Sequence, residues 1–433
     1  MKFADAGSCQ RCSGQLVRVA QSPAWCPSCE WNLNAYDPPT QIPLGWRWFD
    51  RLSYRLAFRL DQAQFRRFCT TLPTRPGFSV ARAALIVLSL LLVGTALGSL
   101  VLGLWLIVAG FPSWWGLLGL VFIGLAALLR PRPGRLPTPK RRLRREQAPS
   151  LFALIERVAE HAGTSVPDFI VLDQDYNAAI GSYGWRRQTV LWLGAPLWLT
   201  LDPGMRVAVL AHELGHSVNG DPARGRLVEP ALNTFRRLAE GFQGRNLGEI
   251  VNPNQRNPNI FLGIAHLAMW AVSRFFFFVH LTVTAIASRG HQQAEYLADR
   301  ISTEVAGTEA TEATLNQLLL ARDILASLHY SAEAIGPAGW QSLARAHRQS
   351  VLAQLPQLQQ FSRRSTDLWS AHPPSGLRAQ LVRQWPHREP ALVLTQQASD
   401  HIDRDLAFWS TRAHRRELGT RIFREPTEPT QPI

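Results

Sequence analysis

The feature that most constrains the fold is an uncharged apolar block from Ala83 to Leu129, broken only by Gly-Phe-Pro-Ser at residues 110 to 113. As one helix the block would be roughly 70 Å long, more than twice the hydrocarbon thickness of a bilayer. We therefore predict two membrane-spanning helices joined by a turn, with Trp114 and Trp115 at the interface. A buried hairpin of a soluble protein is the alternative. The block starts too far into the chain to suit a cleaved signal peptide.

Arginines crowd both flanks of this apolar block. The chain carries 46 Lys and Arg against 32 Asp and Glu, a formal net charge of +14, which suits an anionic membrane surface, nucleic acid or a genome that prefers arginine codons. Because Lys and Arg are enriched on the cytoplasmic side of membrane helices, we predict that both flanks face the cytoplasm. The basic residues are Arg47, Arg51, Arg55, Arg59, Arg66, Arg67, Arg75 and Arg82 before the hairpin, and those of "RPRPGRLPTPKRRLRRE" at residues 130 to 146 after it.

Four of the five cysteines form two C-x-x-C pairs, Cys9 with Cys12 and Cys26 with Cys29. Two such pairs at this separation fit a tetrahedral zinc site of four cysteines that folds a small ribbon. Two disulfides are the alternative, and the reducing cytoplasm favours zinc. Cys69 stands apart and is expected to be a small buried apolar residue. The sequence leaves open whether the ribbon binds a protein partner, nucleic acid or nothing.

The stretch "VLAHELGHSVNGD" predicts a helix with His212 and His216 one turn apart on the same face. Two imidazoles at this spacing can hold one metal ion. Glu213 lies about 100° round the helix axis, where it can act as a general base without being a ligand. Chance also produces this motif, so its interpretation depends on further ligands. We expect the helix to begin with an N-cap at Asp202, followed by Pro203 at the first helical position, and to end at Asn219 and Gly220.

A hydrolytic zinc site usually takes three protein ligands, so a third ligand is expected downstream. The segment "HQQAEYLADRISTEVAG" from residue 291 predicts a helix with Glu295 and Asp299 one turn apart on one face. We assign Glu295 as the ligand and expect Asp299 to accept a hydrogen bond from a ligating imidazole. A solvated acidic pair beside Arg300 is the alternative interpretation. His291, at the expected start of the helix, is the rival ligand.

Four segments together carry a family resemblance: "NAAIG" from Asn177, "VLAHELGHSVNGD" from Val209, "AEYLAD" around Glu295 and "HPPSGLR" from His372. In this order they resemble the HtpX-like family of membrane-associated zinc metallopeptidases, which also includes the CAAX prenyl proteases and the Oma1-like proteases. The resemblance covers residues 150 to 400, and the four-cysteine ribbon is not part of the usual HtpX architecture.

The resemblance implies a role for each matching residue around the metal. His212, His216 and Glu295 would bind the catalytic zinc. Glu213 would be the general base that takes a proton from the attacking water. Asp299 would support a ligand through a hydrogen bond.

The resemblance also implies residues that act on the substrate. His372 and Arg378 would face the cleft, where a cation or imidazole can stabilise the oxyanion of a tetrahedral intermediate. Asn177 and Ala178 would line the substrate groove, beside an edge strand on which an extended peptide can pair.

The apolar segment at residues 261 to 288 departs from the family pattern. HtpX-like proteins carry membrane spans here, but His216 and Glu295 must meet at one zinc ion, which requires an even number of crossings between them. The segment is too short for two spans. We therefore predict a long helix that packs on the peptidase domain or lies along the bilayer. Its polar residues Arg274, His266 and His280 are expected to find polar partners or the membrane interface.

The expected fold class is α+β: a mostly helical zincin-type metallopeptidase domain with a small mixed sheet, a transmembrane helical hairpin and an N-terminal zinc ribbon. In the peptidase domain, "SLFALIERVAEHAG" predicts a helix, and "DFIVLD" and "TVLWLG" predict strands. The expected segments are the ribbon at 1 to 40, a basic amphipathic segment at 41 to 78, the hairpin at 79 to 130, a Pro/Arg-rich linker at 131 to 149, the metallopeptidase domain at 150 to 420 and a disordered tail at 421 to 433.

The sequence thus predicts a zinc-dependent endopeptidase of protein substrates, anchored in the cell membrane by the hairpin, with its ribbon and catalytic domain in the cytoplasm. It would hold one catalytic and one structural zinc ion, and its partners would be the bilayer and a protein bound by the ribbon. Nucleic acid is not an expected partner. The main alternative is a ribbon adaptor that recruits a partner or nucleic acid, and a second is a zinc hydrolase of a small amide or lipid.

Overall fold

The computed structural model describes residues 3–37, 47–74, 80–110, 112–130, 135–184, 186–218, 233–238, 260–331, 334–366, 372–412 and 414–415. The predicted tail at 421 to 433 and the predicted helix stop at 219 and 220 lie outside these residues. The chain forms two compact units. The first contains Met1–Pro76, Leu136–Asp221 and His291–Ile433, and the second contains Gly77–Arg135 and Pro222–Gly290.

The first unit begins with a small ribbon. Strands β1 (Phe3–Ser8) and β2 (Gln15–Val19) pair antiparallel. Trp25 is fully buried against Val17 and Leu33. A core of this size is too small to fold a free-standing domain, so the ribbon needs further support from a metal ion or a neighbour.

The peptidase part of the first unit is built on a four-stranded sheet of order β3-β4-β6-β5. Strand β3 (Arg142–Leu143) is antiparallel to β4 (Phe169–Asp173), β4 is parallel to β6 (Gln188–Gly194), and β5 (Ala178–Tyr183) is antiparallel to β6. Both predicted strands coincide with β4 and β6. Strand β3 falls inside the expected linker, so part of that stretch belongs to the sheet, and β5 forms an edge.

Helices make up most of the described chain, as the fold class predicted. The segment "SLFALIERVAEHAG" is helical as expected, and its helix ends at Gly163, whose positive φ of 68° closes the last turn. The helices are α1 (Arg47–Thr70), α2 (Val80–Gly110), α3 (Trp114–Leu129), α4 (Pro149–Ala162), α5 (Ala195–Thr200), α6 (Pro203–Val218), α7 (Ile260–Ala306), α8 (Thr308–Leu319), α9 (Ala321–Ser331), α10 (Trp340–Ser350), α11 (Leu355–Ser362), α12 (Ser375–Gln384) and α13 (Gln396–Asp405).

Helix α1 belongs to the first unit and does not form a separate segment. Near its end, Phe68 is buried in a cluster with Tyr296 of α7, Leu315 of α8 and Trp385, which follows α12. Cys69 packs against the same cluster and is partly buried, close to its expected environment. The basic amphipathic segment therefore buries one face on the peptidase part.

The apolar hairpin forms in the second unit at the predicted place. Helices α2 and α3 are joined by a tight turn in which the Ser113 N–H donates to the Gly110 carbonyl at 2.7 Å. The two helices approach most closely at Gly103 and Gly119. A Cβ atom on Gly103 would lie 2.7 Å from the Gly119 carbonyl oxygen, so this contact requires glycine.

We expected the segment at 261 to 288 to form a long helix that packs on the peptidase domain or lies along the bilayer; it is helical, and its place relative to a bilayer stays a prediction. The segment forms the first part of α7, the helix that also carries Glu295. Within the second unit it packs against the hairpin. Its side chains at helical spacing, Phe276, Val279, Val283 and Ala287, contact α2. Because an apolar face of this kind fits another apolar helix, the described part of the segment pairs with the hairpin. Arg274 and His280 each have an interaction partner, whereas the side chain of His266 lies outside the described residues.

Two of the described helices are long and apolar enough to cross a membrane, over Ala83–Gly110 and Ala271–Ala306. Only 28% and 18% of the most apolar windows in these stretches are buried, which distinguishes them from the core helix of a soluble domain. Helix α3, over Trp114–Leu129, is apolar but shorter.

Candidate active site

Helix α6 carries the two histidines of the motif in the core of the first unit. Proline at its first position suits the helix start, and buried residues such as Val207 and Leu210 fix its orientation. The His212 and His216 rings lie on one face with centroids 5.0 Å apart. The carboxylate of Asp202, at the expected N-cap, forms ion pairs with Arg345 and Arg348. The histidines are therefore held on a rigid element.

Helix α7 brings Glu295 to both histidines. One carboxylate oxygen, Oε1, lies 3.3 Å from His216 Nε2, and the other, Oε2, lies 3.5 Å from His212 Nε2. His372, just before α12, places its Nδ1 2.6 Å from Oε2. The three histidines come from two distant parts of the sequence, and Glu295 is the residue that they share.

This donor set fits a metal ion. His212, Glu295 and His372 each offer one ligand atom, and these atoms lie within 4.8 Å of one another. Glu295 is buried, and its Oε2 makes ionic contacts but no well-oriented hydrogen bond with any described residue. Imidazole nitrogens with one carboxylate oxygen are the ligands that zinc takes in hydrolases. His291, the rival ligand, lies in the middle of α7, not at a helix start, and does not join this group among the described residues.

Asp299 and Arg378 form a buried ion pair behind the ligands. Arg378 donates to Asp299 through Nε at 2.8 Å and through Nη2 at 2.6 Å, and its Nη1 lies 3.2 Å from Glu295 Oε2. Asp299 Oδ1 is also 3.1 Å from His212 Nδ1, the geometry in which a carboxylate orients a ligating imidazole. Arg378 thus contacts both acidic residues of α7.

These neighbours set the protonation of His212. Burial and the charge of Arg378 would lower the pKa of His212, but hydrogen bonds to Asp299 and Glu295 outweigh them and raise it to about 9. Because a ligating imidazole is neutral, a metal ion would compete with this proton for His212.

A cavity of about 240 Å³ opens beside the ligands. Glu213, which is buried, lines it together with His212, Asp299, His372 and Arg378. Asn177 and Ala178, at the start of edge strand β5, line it as well. All the residues to which we assigned a catalytic or groove role on sequence grounds therefore border one space.

Sequence reasoning missed one wall of this cavity. Thr311, Thr314, Leu315 and Leu318 of α8 line it, and so does Tyr176. The helical spacing of the four α8 residues was visible as a pattern. The pattern predicts a buried face, but it does not reveal that the face borders the site.

The four ribbon cysteines form a second cluster. Cys9 Sγ lies 3.7 Å from Cys29 Sγ, Cys12 Sγ lies 3.4 Å from Cys26 Sγ, and all four sulfurs lie within 4.8 Å of one another. All are free thiols, at distances near the ~3.8 Å that separates sulfurs around a tetrahedral zinc ion. Burial raises the pKa of Cys26, but hydrogen bonds from the Cys29 backbone and from Cys12 lower it to about 6. The geometry fits a metal site better than two disulfides.

Comparison with known proteins identifies the family of this chain. The family model described as "Peptidase family M48" matches residues 145–386. A protease HtpX of Pseudomonas putida (strain GB-1) is 27% identical over 169 residues, which are 39% of this chain and 55% of that protein. A protease HtpX of Tolumonas auensis is 23% identical over 234 residues, covering 54% of this chain and 72% of that protein.

The chain spans about half the length of the first curated relatives that it matches. No solved structure matches it. The ribbon and α1 lie outside the family match, which begins within the expected linker and ends just after α12. The matched part holds both α6 histidines, Glu295 and the His372 segment, and the match confirms the HtpX-like resemblance: the chain belongs to peptidase family M48, whose peptidases are metal-dependent.

Proposed function

We propose that the protein is a membrane-anchored, zinc-dependent endopeptidase that cleaves protein substrates. The observation that carries this proposal is the contact of both Glu295 oxygens with the two α6 histidines, next to a cavity that Glu213 lines. Together with the family membership, this combination of a metal donor set and an adjacent carboxylate supports hydrolysis of a peptide bond.

His212, His216 and Glu295 are the proposed ligands of the catalytic zinc. When bound, zinc supplies Lewis acidity, which makes water more acidic and polarises a carbonyl group. His372, whose side chain is 41% exposed and lies 2.6 Å from Glu295, is a further candidate ligand or a group that contacts the substrate. The four ribbon cysteines would hold a second, structural zinc ion.

Glu213 is the proposed general base. Its carboxylate takes a proton from the attacking water and returns it to the leaving amine. Arg378 and His372 are cationic or hydrogen-bonding groups on the same cavity and would stabilise the oxyanion that forms at the scissile carbonyl. Asp299 keeps Arg378 and His212 oriented through the contacts described above.

The substrate is proposed to bind as an extended peptide along β5. Strand β5 is at an edge of the sheet, and its first residue, Ala178, lines the cavity beside Asn177. Backbone hydrogen bonds to an edge strand hold a peptide without selecting its side chains. A groove of this kind suits unfolded or loosely structured protein segments.

Membrane anchoring is proposed to occur through the hairpin of α2 and α3, with the apolar part of α7 beside it. The arginine-rich segments before and after the hairpin support a cytoplasmic position for both. The ribbon and the peptidase part would then face the cytoplasm.

Removal of the metal tests the proposal. We expect detergent-solubilised protein to cleave unfolded casein. The cleavage should stop after dialysis against a zinc chelator and return when zinc is restored. His216→Ala should lose activity and fall from about two zinc ions per chain to about one. The control His387→Ala changes an exposed histidine that contacts Glu389, and it should keep both activity and zinc. Full cleavage by chelated protein would contradict a zinc mechanism.

A further inference from the structure

The ribbon docks on residues that lead to His372. Arg364, in the short 3₁₀ turn that follows α11, is 8% exposed. Its guanidinium donates to three backbone carbonyls of the ribbon, those of Pro23, Asn32 and Leu33. The same guanidinium lies 4.9 Å from the centroid of the Trp25 ring. One buried arginine thus holds three points of the ribbon loop.

Neighbouring contacts make this interface continuous. Trp25 stacks on Phe361 of α11, with ring centroids 5.3 Å apart. Arg363 forms a two-point ion pair with Glu30, and Gln360 donates to the Pro27 carbonyl at 2.9 Å. Trp25, the largest aromatic side chain of the ribbon core, is fully buried within the chain. It is therefore not available to a separate partner protein.

Helix α1 also contacts α7, the helix that carries Glu295. Asp61 of α1 is buried and accepts hydrogen bonds from Thr366 and from Gln292 of α7. Near the end of α1, Phe68 contacts the ring of Tyr296, with centroids 5.2 Å apart. Tyr296 directly follows Glu295, and Thr366 precedes His372 by six residues. A single helix outside the family match therefore contacts both segments that carry metal-site residues.

We propose that the ribbon and α1 form a positioning module for the peptidase site, in which Arg364 and Asp61 fix the segment that carries His372 and Arg378 and the part of α7 that carries Glu295. The inference rests on the proposed function. The docked residues Pro23 and Glu30 flank the second cysteine pair, so a metal ion held by the four cysteines would fix the loop that Arg364 contacts. The ribbon acts within the molecule, as a positioning element and not as a recruiting surface.

The module is tested on the full chain in detergent with Arg364→Ala. We expect kcat to fall by about 10- to 100-fold while KM stays within about twofold, because a displaced catalytic group slows the reaction more than it weakens binding. We also expect faster hydrogen–deuterium exchange in residues 372 to 384, a readout that does not depend on activity. The double variant Cys9→Ser, Cys12→Ser should lose the ribbon metal and show both changes.

Ile402→Ala is the matched control for stability. Ile402 of α13 is 2% exposed in the main core of the first unit and is not among the residues that line the cavity. It should lower Tm as Arg364→Ala does, yet leave kcat per folded molecule and the exchange of residues 372 to 384 unchanged. If Arg364→Ala does not accumulate, Trp25→Phe, which keeps an apolar ring in the same core, takes its place with smaller changes in the same directions.

The outcomes separate this inference from the proposed function. Equal kcat and equal exchange in Arg364→Ala and Ile402→Ala, measured at the same folded fraction, would overturn the positioning role. If the wild-type chain cleaved no faster than Glu213→Gln, the proposed function would fail, and the exchange data alone would decide whether the ribbon holds the His372 segment.

Discussion

Glu295 is the residue around which the candidate metal site is organised. Its two carboxylate oxygens contact three imidazoles and the Arg378 guanidinium. A buried carboxylate is costly unless charged or hydrogen-bonding groups surround it. Among the described residues, the groups that form ionic contacts with Glu295 are these imidazoles and the guanidinium. The site is therefore built to hold a positive charge beside Glu295.

Asp299 offers a test of how the ligands are oriented. Asp299→Asn is expected to raise the zinc concentration for half-maximal cleavage by about 10- to 100-fold, because the neutral amide holds His212 and Arg378 less firmly. The measurement is cleavage rate in a series of zinc buffers. Glu304→Gln is the control, since Glu304 is an exposed partner of Arg300 on the same helix. An unchanged zinc dependence in Asp299→Asn would show that the carboxylate does not support the ligand.

Asp61 predicts a dependence of stability on pH. Burial raises the pKa of Asp61 from the ordinary 3.8 to about 6, although hydrogen bonds from Thr366 and Gln292 act in the opposite direction. Because the folded protein holds this proton more tightly than the unfolded chain, the stability that it contributes is full below pH 3.8 and is lost as the pH rises through 6. The difference amounts to roughly 3 kcal/mol.

Asp61→Asn removes this titration. The Tm of the wild type minus the Tm of Asp61→Asn should therefore rise as the pH falls from about 7 to about 4, and circular dichroism measures both values. The subtraction cancels the titration of the other carboxylates. A difference that stays constant over this range would mean that Asp61 is charged in the folded protein at all these pH values.

Among the helices, strands and turns, the sequence predicts best those whose positions are determined by local patterns. The start of α6, the turn between α2 and α3 and the strands β4 and β6 all follow from proline, glycine and apolar periodicity near the residues concerned. Helix α7 was predicted in two pieces because its composition changes at about residue 290, from apolar to mixed. A helix can continue through such a change in composition when each half packs against different neighbours. Sequence patterns do not identify those neighbours.

The apolar surface of the second unit predicts contact with lipid. Leu97 of α2 and Leu117 of α3 are 58% and 67% exposed. Cysteines introduced at these positions in membranes should resist a water-soluble maleimide, because side chains in the hydrocarbon region do not meet the reagent. Phe408→Cys is the matched control, since Phe408 is 67% exposed in the peptidase unit. Labelling of both hairpin cysteines as fast as the control would place the hairpin in water.

At the scale of the whole molecule, the main features that the sequence does not reveal are long-range contacts. The pairing of His372 with Glu295 joins residues 77 positions apart, and the Arg364 contacts join residues more than 300 positions apart. The residues of the metal site could be chosen because their spacing and the family resemblance identify them. The docking of the ribbon could not be predicted, because no sequence pattern around Trp25 or Arg364 identifies these two residues as partners.

The peptidase proposal is tested most directly by cleavage of unfolded casein by the wild type and by Glu213→Gln, with zinc counted in both. We expect about two zinc ions per chain in each protein, because Glu213 is not a proposed ligand. We also expect at least a ~100-fold slower cleavage by Glu213→Gln, because the general base is lost. Equal cleavage by the two proteins, with zinc retained in both, would contradict the proposed peptidase mechanism.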